Sequence, residues 1–198
     1  MRDLILKIVI GFCFANSLFS QVGIGTTTPT AELEIVATNT GIPALELNAQ
    51  SSPTGTVTGQ IALIGDKLYM YDASRTKWLS VETTALQFGR NGNTNNRPLR
   101  FGGNVENNNS GAMMPINGTI VAVSARAAGG ASAKQFQIRV RNGTTNVTTS
   151  NFNLSSLEYT SITDNIDFSA GDYITVFAQN GGGNSTSPIV VLWIKWRQ

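Results

Sequence analysis

The 198-residue chain sets 14 lysines and arginines against 12 acidic residues, with no histidine and a single cysteine. That near balance gives no electrostatic case for nucleic acid or an anionic membrane as a partner. Without imidazole, and with its one thiol at position 13, the chain has no disulfide, and any catalyst would have to be built from carboxylates, Lys, Tyr and Ser.

Residues 1–20 read as a secretory signal peptide. Arg2 and Lys7 supply positive charge, residues 8–15 form a short apolar core, and the small-residue exit places cleavage between Ser20 and Gln21. The apolar run falls short of the roughly 20 residues a membrane span needs, so no transmembrane anchor is expected. Cys13 would suit a lipid anchor, but Phe12 stands where a small residue belongs. Removing the leader removes the cysteine. The exported chain must then be held by packing, or by association with other chains.

The remainder is rich in Gly, Asn, Thr and Ser and holds hardly any helix-forming run, while β-branched and aromatic residues recur in short alternating bursts. The fold class expected is all-β. Residues 21–56 do not look self-sufficient. "VGI" and "AELEI" offer two short strands around a turn-prone "TTTPT", with Leu33 and Ile35 on one face and Glu32 and Glu34 on the other. "GIPALEL" at 41–47 repeats the pattern. Such short apolar edges cannot bury themselves within one chain, but three chains around an axis could do so.

Here a resemblance becomes specific. "VGIGTTTPTAELEI" (22–35) resembles the stalk repeat of bacterial surface proteins and phage tail fibres, VGIGTT-x-P-x-A-x-L-x-I, matching at Val22, Gly23, Ile24, Gly25, Pro29, Ala31, Leu33 and Ile35. The resemblance implies a trimeric stalk (21–56) outside the cell envelope, with the chain's own copies as partners. Residues 57–82 predict a β-meander. "IALI" and "KLYMY" flank Gly65-Asp66, a two-residue turn of type II′, so that Leu63 faces Leu68, Ile61 faces Met70 and one face is apolar. A third strand, "KWLSV", carries Trp78. The meander is similar to the module that follows the stalk repeat in the same group of proteins, although the usual Pro-Arg pair is replaced by "IPALEL".

Residues 83–110 are polar and Gly/Asn-rich, with one strand candidate at "PLRFG", and read as a link plus the first strands of the next domain. From 111 to 198 strand signals are dense: 118–127, 134–141, 145–154, 157–162, 172–179 and 188–196, each bounded by turn chemistry. Asn142-Gly143 predicts a type I′ hairpin. In "QFQIRVR" the residues Phe136, Ile138 and Val140 point inward, and Gln137, Arg139 and Arg141 outward. "FSAGDYITVFAQN" (168–180) resembles the Gly-Asp strand of C1q and tumour-necrosis-factor type jelly rolls, which assemble as trimers. The expected architecture is therefore a stalk, a β-meander and a jelly-roll β-sandwich. "IVVLWIKW", apolar on both faces, is central to that sandwich or wedged into a subunit interface.

For chemistry, the closest carboxylates are Glu158, Asp164, Asp167 and Asp172. Their spacing fits turns better than two groups facing across a cleft, so no enzyme is expected. The Asn/Asp-rich loops at 104–110 and 163–167 have no calcium-loop spacing, and no metal or cofactor is expected. Binding is the more natural activity. Flat rings beside amides suit a surface glycan, which makes Tyr159, Trp196 and Trp193 candidates, with loops 104–110 and 180–187 as rims. Trp193 and Trp196 also suit a core or interface. Arg139 and Arg141 could contact an acidic sugar. The sequons at Asn117 and Asn142 reflect composition. The preferred function is thus a secreted, homotrimeric, fibre-like surface protein whose jelly roll binds a glycan. The alternative is a structural virion-spike or matrix component with no small ligand.

Overall fold

The computed structural model describes residues 22–24, 26–28, 30–102 and 108–198. The leader, its cleavage site at Ser20 and Gln21, and residues 104–107 of the first loop lie outside the described residues. The chain divides into two compact units, residues 1–48 and 49–198.

In the first unit, β1 (Val22–Ile24) and β2 (Leu33–Ile35) pair in parallel, with Val22 opposite Leu33 and Ile24 opposite Ile35. The hydrogen bonds Val22 N to Glu32 O and Val36 N to Ile24 O, both 2.8 Å, extend the pairing.

The second unit is all-β, with no helix among the described residues. It opens with a three-stranded antiparallel sheet, β3 (Ile61–Ile64), β4 (Lys67–Asp72) and β5 (Lys77–Ser80). Short pieces follow β6 (Thr84–Gly89): β7 (Asn93–Thr94), β8 (Arg97–Pro98), β9 (Arg100–Phe101) and β10 (Ala112–Met113). Then come β11 (Gly118–Arg126), β12 (Gly129–Gly130), β13 (Gln135–Asn142), β14 (Thr145–Asn153), β15 (Glu158–Ser161), β16 (Ile166–Phe168), β17 (Tyr173–Ala178), β18 (Ser185–Thr186) and β19 (Ile189–Trp196).

Two antiparallel sheets pack face to face in a jelly-roll-like sandwich. One runs β10-β17-β13-β14, with β8 also on β17; the other runs β15-β11-β19-β6-β9, with β16 also on β11. A small sheet, β12-β18-β7, joins loops at one end. Alternation drives the packing. Phe136, Ile138 and Val140 of β13 and Ile174, Val176 and Ala178 of β17 face Ile120, Val123, Val190, Leu192 and Ile194, all buried in one cluster. Removing side chains of this size from water contributes about 1.5–3 kcal/mol apiece. β6, from the stretch read as a link plus the first strands of the next domain, is a full member of the sandwich beside β19.

Three local expectations change. In the β3–β4 hairpin, Ile61 lies opposite Met70 and Leu63 opposite Leu68, and Gly65 takes the positive φ the turn needs. Yet Ile61, Leu68 and Met70 are exposed, and it is Ala62, Ile64 and Tyr69 that form the small core with Trp78. The reason is residues 49–56, which the sequence groups with the stalk. They fold over the second face, where Trp78 Nε1 donates to Pro53 O (2.8 Å) and Gln50 N to Leu63 O (2.8 Å). The β13–β14 turn is centred on Gly143-Thr144, since Asn142 pairs with Thr145 and only Gly143 has positive φ. A type I′ turn would need positive φ at both central residues. Arg141, expected outside, is 7% exposed.

Candidate functional site

The four residues singled out for ligand binding do not converge. Tyr159 of β15 turns back to the sandwich and stacks on Phe152, ring centroids 4.6 Å apart. Trp196, at the end of β19, meets Phe168 edge-on at 6.4 Å and packs against the same core. Both rings are half-buried and pack on the core with one face or edge. Arg141, on the other sheet, is locked. It donates to Asn108 O, to Asn109 Oδ1 (3.2 Å) and to Thr144 O (2.6 Å), and lies over the Tyr173 ring at 5.9 Å. A guanidinium so committed pins the loop before β10 to the β13–β14 turn. Arg139 alone keeps its fork outward, 3.9 Å above the Phe177 ring.

The carboxylates are structural too. Asp172 is buried and accepts from Ser169 N (2.8 Å) and Asn142 Nδ2 (3.0 Å), which closes the turn at Gly171. Glu158 pairs with Arg126 at 2.6 Å on the surface. Asp167 accepts from Lys77 Nζ (2.6 Å) and Thr119 Oγ1 (2.7 Å), with Arg197 3.5 Å away. Burial alone would raise its pKa, but those two hydrogen bonds and the charges of Arg197 and Lys77 outweigh it and hold the carboxyl below its ordinary value. No pair of these groups faces a shared cleft, and no cluster of three metal-ligating side chains occurs among the described residues.

Sequence reasoning missed the cations that organise these loops. Lys134 is fully buried, and its Nζ donates to Asn95 Oδ1 (2.5 Å), Gly181 O (2.9 Å), Gly183 O (2.9 Å) and Gln179 O. Loop 180–187, expected as a binding rim, is in part the wall of this cage. Arg75, in the β4–β5 turn, pairs with Asp72 at 2.5 Å. Its remaining donors reach Asp164 O (2.8 Å), Val121 O (3.1 Å) and Ile162 O (3.0 Å). Neither lysine nor arginine carries a local sequence signature that distinguishes such a role from a solvated one.

The Asp72–Arg75 pair gives the first prediction. Burial pushes the Asp72 carboxyl up, but hydrogen bonds from Ser74 and Arg75 and the Arg75 charge prevail and bring it from 3.8 to about 2. A carboxyl depressed in the folded state adds stability above its unfolded pKa and loses it as pH falls through the folded one. The contribution, at most about 2 kcal/mol, should vanish between about pH 4 and pH 2. Acid titration followed by circular dichroism should show that limb in the wild type, and Asp72→Asn should flatten it.

Two apolar surfaces remain uncovered. On the face of the β1–β2 ribbon that bears Val22, Ile24, Leu33 and Ile35, the first three are 50%, 54% and 60% exposed and Ile35 is half-buried. On the outer side of the six-stranded sheet, Trp193 (41% exposed) sits between Ala122 and Ala85, and Val191 between Ser124 and Gln87. Ile189, at 56%, continues the row. The middle of that face carries no charge.

No family model and no curated protein matches the chain. Among solved structures it is similar to the "Acidic stable capsid structure of Helicobacter pylori bacteriophage KHP30", with a TM-score of 0.35 and 12% identity over 59% of this chain and 89% of that one. A likeness this loose assigns the chain no role.

Proposed function

We propose that this is a structural, self-assembling protein displayed outside the cell, a homotrimer held at its amino-terminal ribbon and between its sandwiches. The observation that carries the proposal is the ribbon. Two parallel strands of three residues, apolar on one face and solvated on both, have no independent stability in water. Parallel strands are ordinarily covered on both sides. Three copies around an axis would cover Val22, Ile24, Leu33 and Ile35 with their own equivalents and leave Glu32 and Glu34 outside. The apolar row of Ile189, Val191 and Trp193 on the outer face supports further contact between copies, since such a patch on a monomer usually marks an interface. In this reading the leader exports the chain and the jelly roll is the displayed part. Assembly, rather than a small-ligand site built from Tyr159 and Trp196, is its main work.

Light scattering of residues 21–198 after size exclusion tests it. The expected mass is three times that of the monomer, and the double substitution Ile24→Asp plus Leu33→Asp should reduce it to one copy with the sandwich still folded. A wild-type monomer at micromolar concentration would overturn the proposal.

A further inference from the structure

The outward face of the five-stranded sheet holds an arginine arranged differently from the others. Cross-strand register places Arg139 of β13 beside Thr149 of β14 and Thr175 of β17, and Gln137 beside Asn151 and Phe177. The Arg139 guanidinium lies over Phe177, its central carbon 3.9 Å from the ring centroid. Its Nε donates to Gln137 Oε1 at 2.6 Å, and Gln137 Nε2 in turn donates to Asn151 Oδ1 at 2.9 Å. Ring and amide together fix the plane and rotation of the guanidinium. Its two terminal nitrogens have no partner among the described residues. β13, β14 and β17 carry no acidic residue at all, so the fork has no counter-ion within its own sheet.

A half-buried cation is costly to leave without an anion, and this one sits beside Arg141 as well. Burial first, and the Arg141 charge second, lower the Arg139 pKa. The same features make a receptor. A guanidinium immobilised before binding loses little rotamer freedom when it meets a planar anion, and two parallel N–H bonds to a carboxylate match its fork. Around it stand the Gln137 and Asn151 amides and the Thr149 hydroxyl, groups that hydrogen-bond to hydroxyls.

We propose that Arg139, with Gln137, Thr149 and Asn151, forms a binding site for a carboxylate-bearing sugar on the outward face of the five-stranded sheet. The carboxylate takes the two terminal nitrogens of Arg139. The sugar hydroxyls meet the amides and Thr149. Because every group comes from one sheet of one chain, the site is complete in a single copy and does not depend on trimer formation.

The experiment is an NMR titration of the full exported chain with glucuronate, glucose and acetate, following the Arg139 Nε–H signal and the Gln137 and Asn151 side-chain amides. Glucuronate should shift all three signals to saturation, glucose should shift none at the same concentration, and acetate should bind more weakly than glucuronate. Arg139→Lys, which keeps the charge and removes the fork, should weaken glucuronate at least about tenfold, with an unchanged far-UV spectrum. No saturable shift, or an equal shift in Arg139→Lys, would overturn the site. Acetate as tight as glucuronate, or an acidic peptide tighter than either, would overturn the sugar and make Arg139 a receptor for bare or protein carboxylates.

Discussion

Lys134→Met should cost about 3–5 kcal/mol of unfolding free energy, read as a fall in the urea midpoint at unchanged slope. The ammonium is fully buried and has no carboxylate beside it among the described residues; four oxygens from two separate stretches of chain, Asn95 and residues 179–183, surround it instead. Gly181, Gly182 and Gly183 follow one another at positive φ (111°, 67° and 80°), which only glycine adopts without strain, and that run is what turns the carbonyls of 181 and 183 onto one point. Methionine fills nearly the same volume, so the loss would be electrostatic rather than a cavity. Burial draws the Lys134 pKa down, while the ring of oxygen dipoles favours the charged form. With the ammonium gone, three backbone carbonyls and one amide oxygen point at each other in a dry site, each short of a donor worth about 1–3 kcal/mol. Asn95→Ala, which removes one oxygen of four, should cost only about 1 kcal/mol. If Lys134→Met costs no more than Asn95→Ala, the ammonium does not hold the loop.

The cage also shows where sequence reading stops. The alternation of "QFQIRVR" predicts which residues are inside, and Phe136, Ile138 and Val140 are buried; "IVVLWIKW", apolar on both faces, does not say which face is inside, and it is Val190, Leu192 and Ile194 that are buried. Period-two patterning reports a face, and the face is what the sheet buries. It says nothing of what covers the other side. Arg139 and Arg141 look alike in sequence, two residues apart on one strand. Arg141 is buried because the loop at 108–109 and the turn at 143–144 fold over it, while Arg139 has only Phe177 beneath it. In the meander the two faces are similarly apolar in composition, and the segment 49–56 decides which becomes core. Tyr159 and Trp196 have the composition of a sugar platform, but each lies within ring-contact distance of a core phenylalanine. Long-range contacts of this kind leave no spacing in the chain to read.

Arg75→Ala should loosen the β3–β5 sheet from the sandwich and cost about 2–4 kcal/mol. The cause lies in β11. That strand pairs with β16 through Ile120 and with β15 from Val123 onward, and its register against β19 shifts between Ile120 and Ala122. The carbonyls of Val121, Ile162 and Asp164 lie where the partner changes. The Arg75 guanidinium enters there and donates to all three, while Nη1 holds Asp72. One side chain thereby closes a break in the sheet and ties the meander to it. Alanine would take this donor from three carbonyls and the counter-charge from Asp72, which would keep only its hydrogen bonds from Ser74 and the backbone N of residue 75. Lysine would keep the charge but could not serve diverging carbonyls from one nitrogen, so Arg75→Lys should recover only a small part of the loss. The second tie, Lys77 to Asp167 with Trp196 N donating to Ser80 Oγ at 3.0 Å, is independent of Arg75 and should keep β5 in place. Hydrogen exchange is the decisive measurement. In Arg75→Ala the amides of β3 and β4 should exchange faster than those of β13 and β17, because the sandwich core does not rely on the latch. Equal acceleration in both would mean that the sheet and the sandwich unfold as one cooperative body, with Arg75 only one of its many contacts.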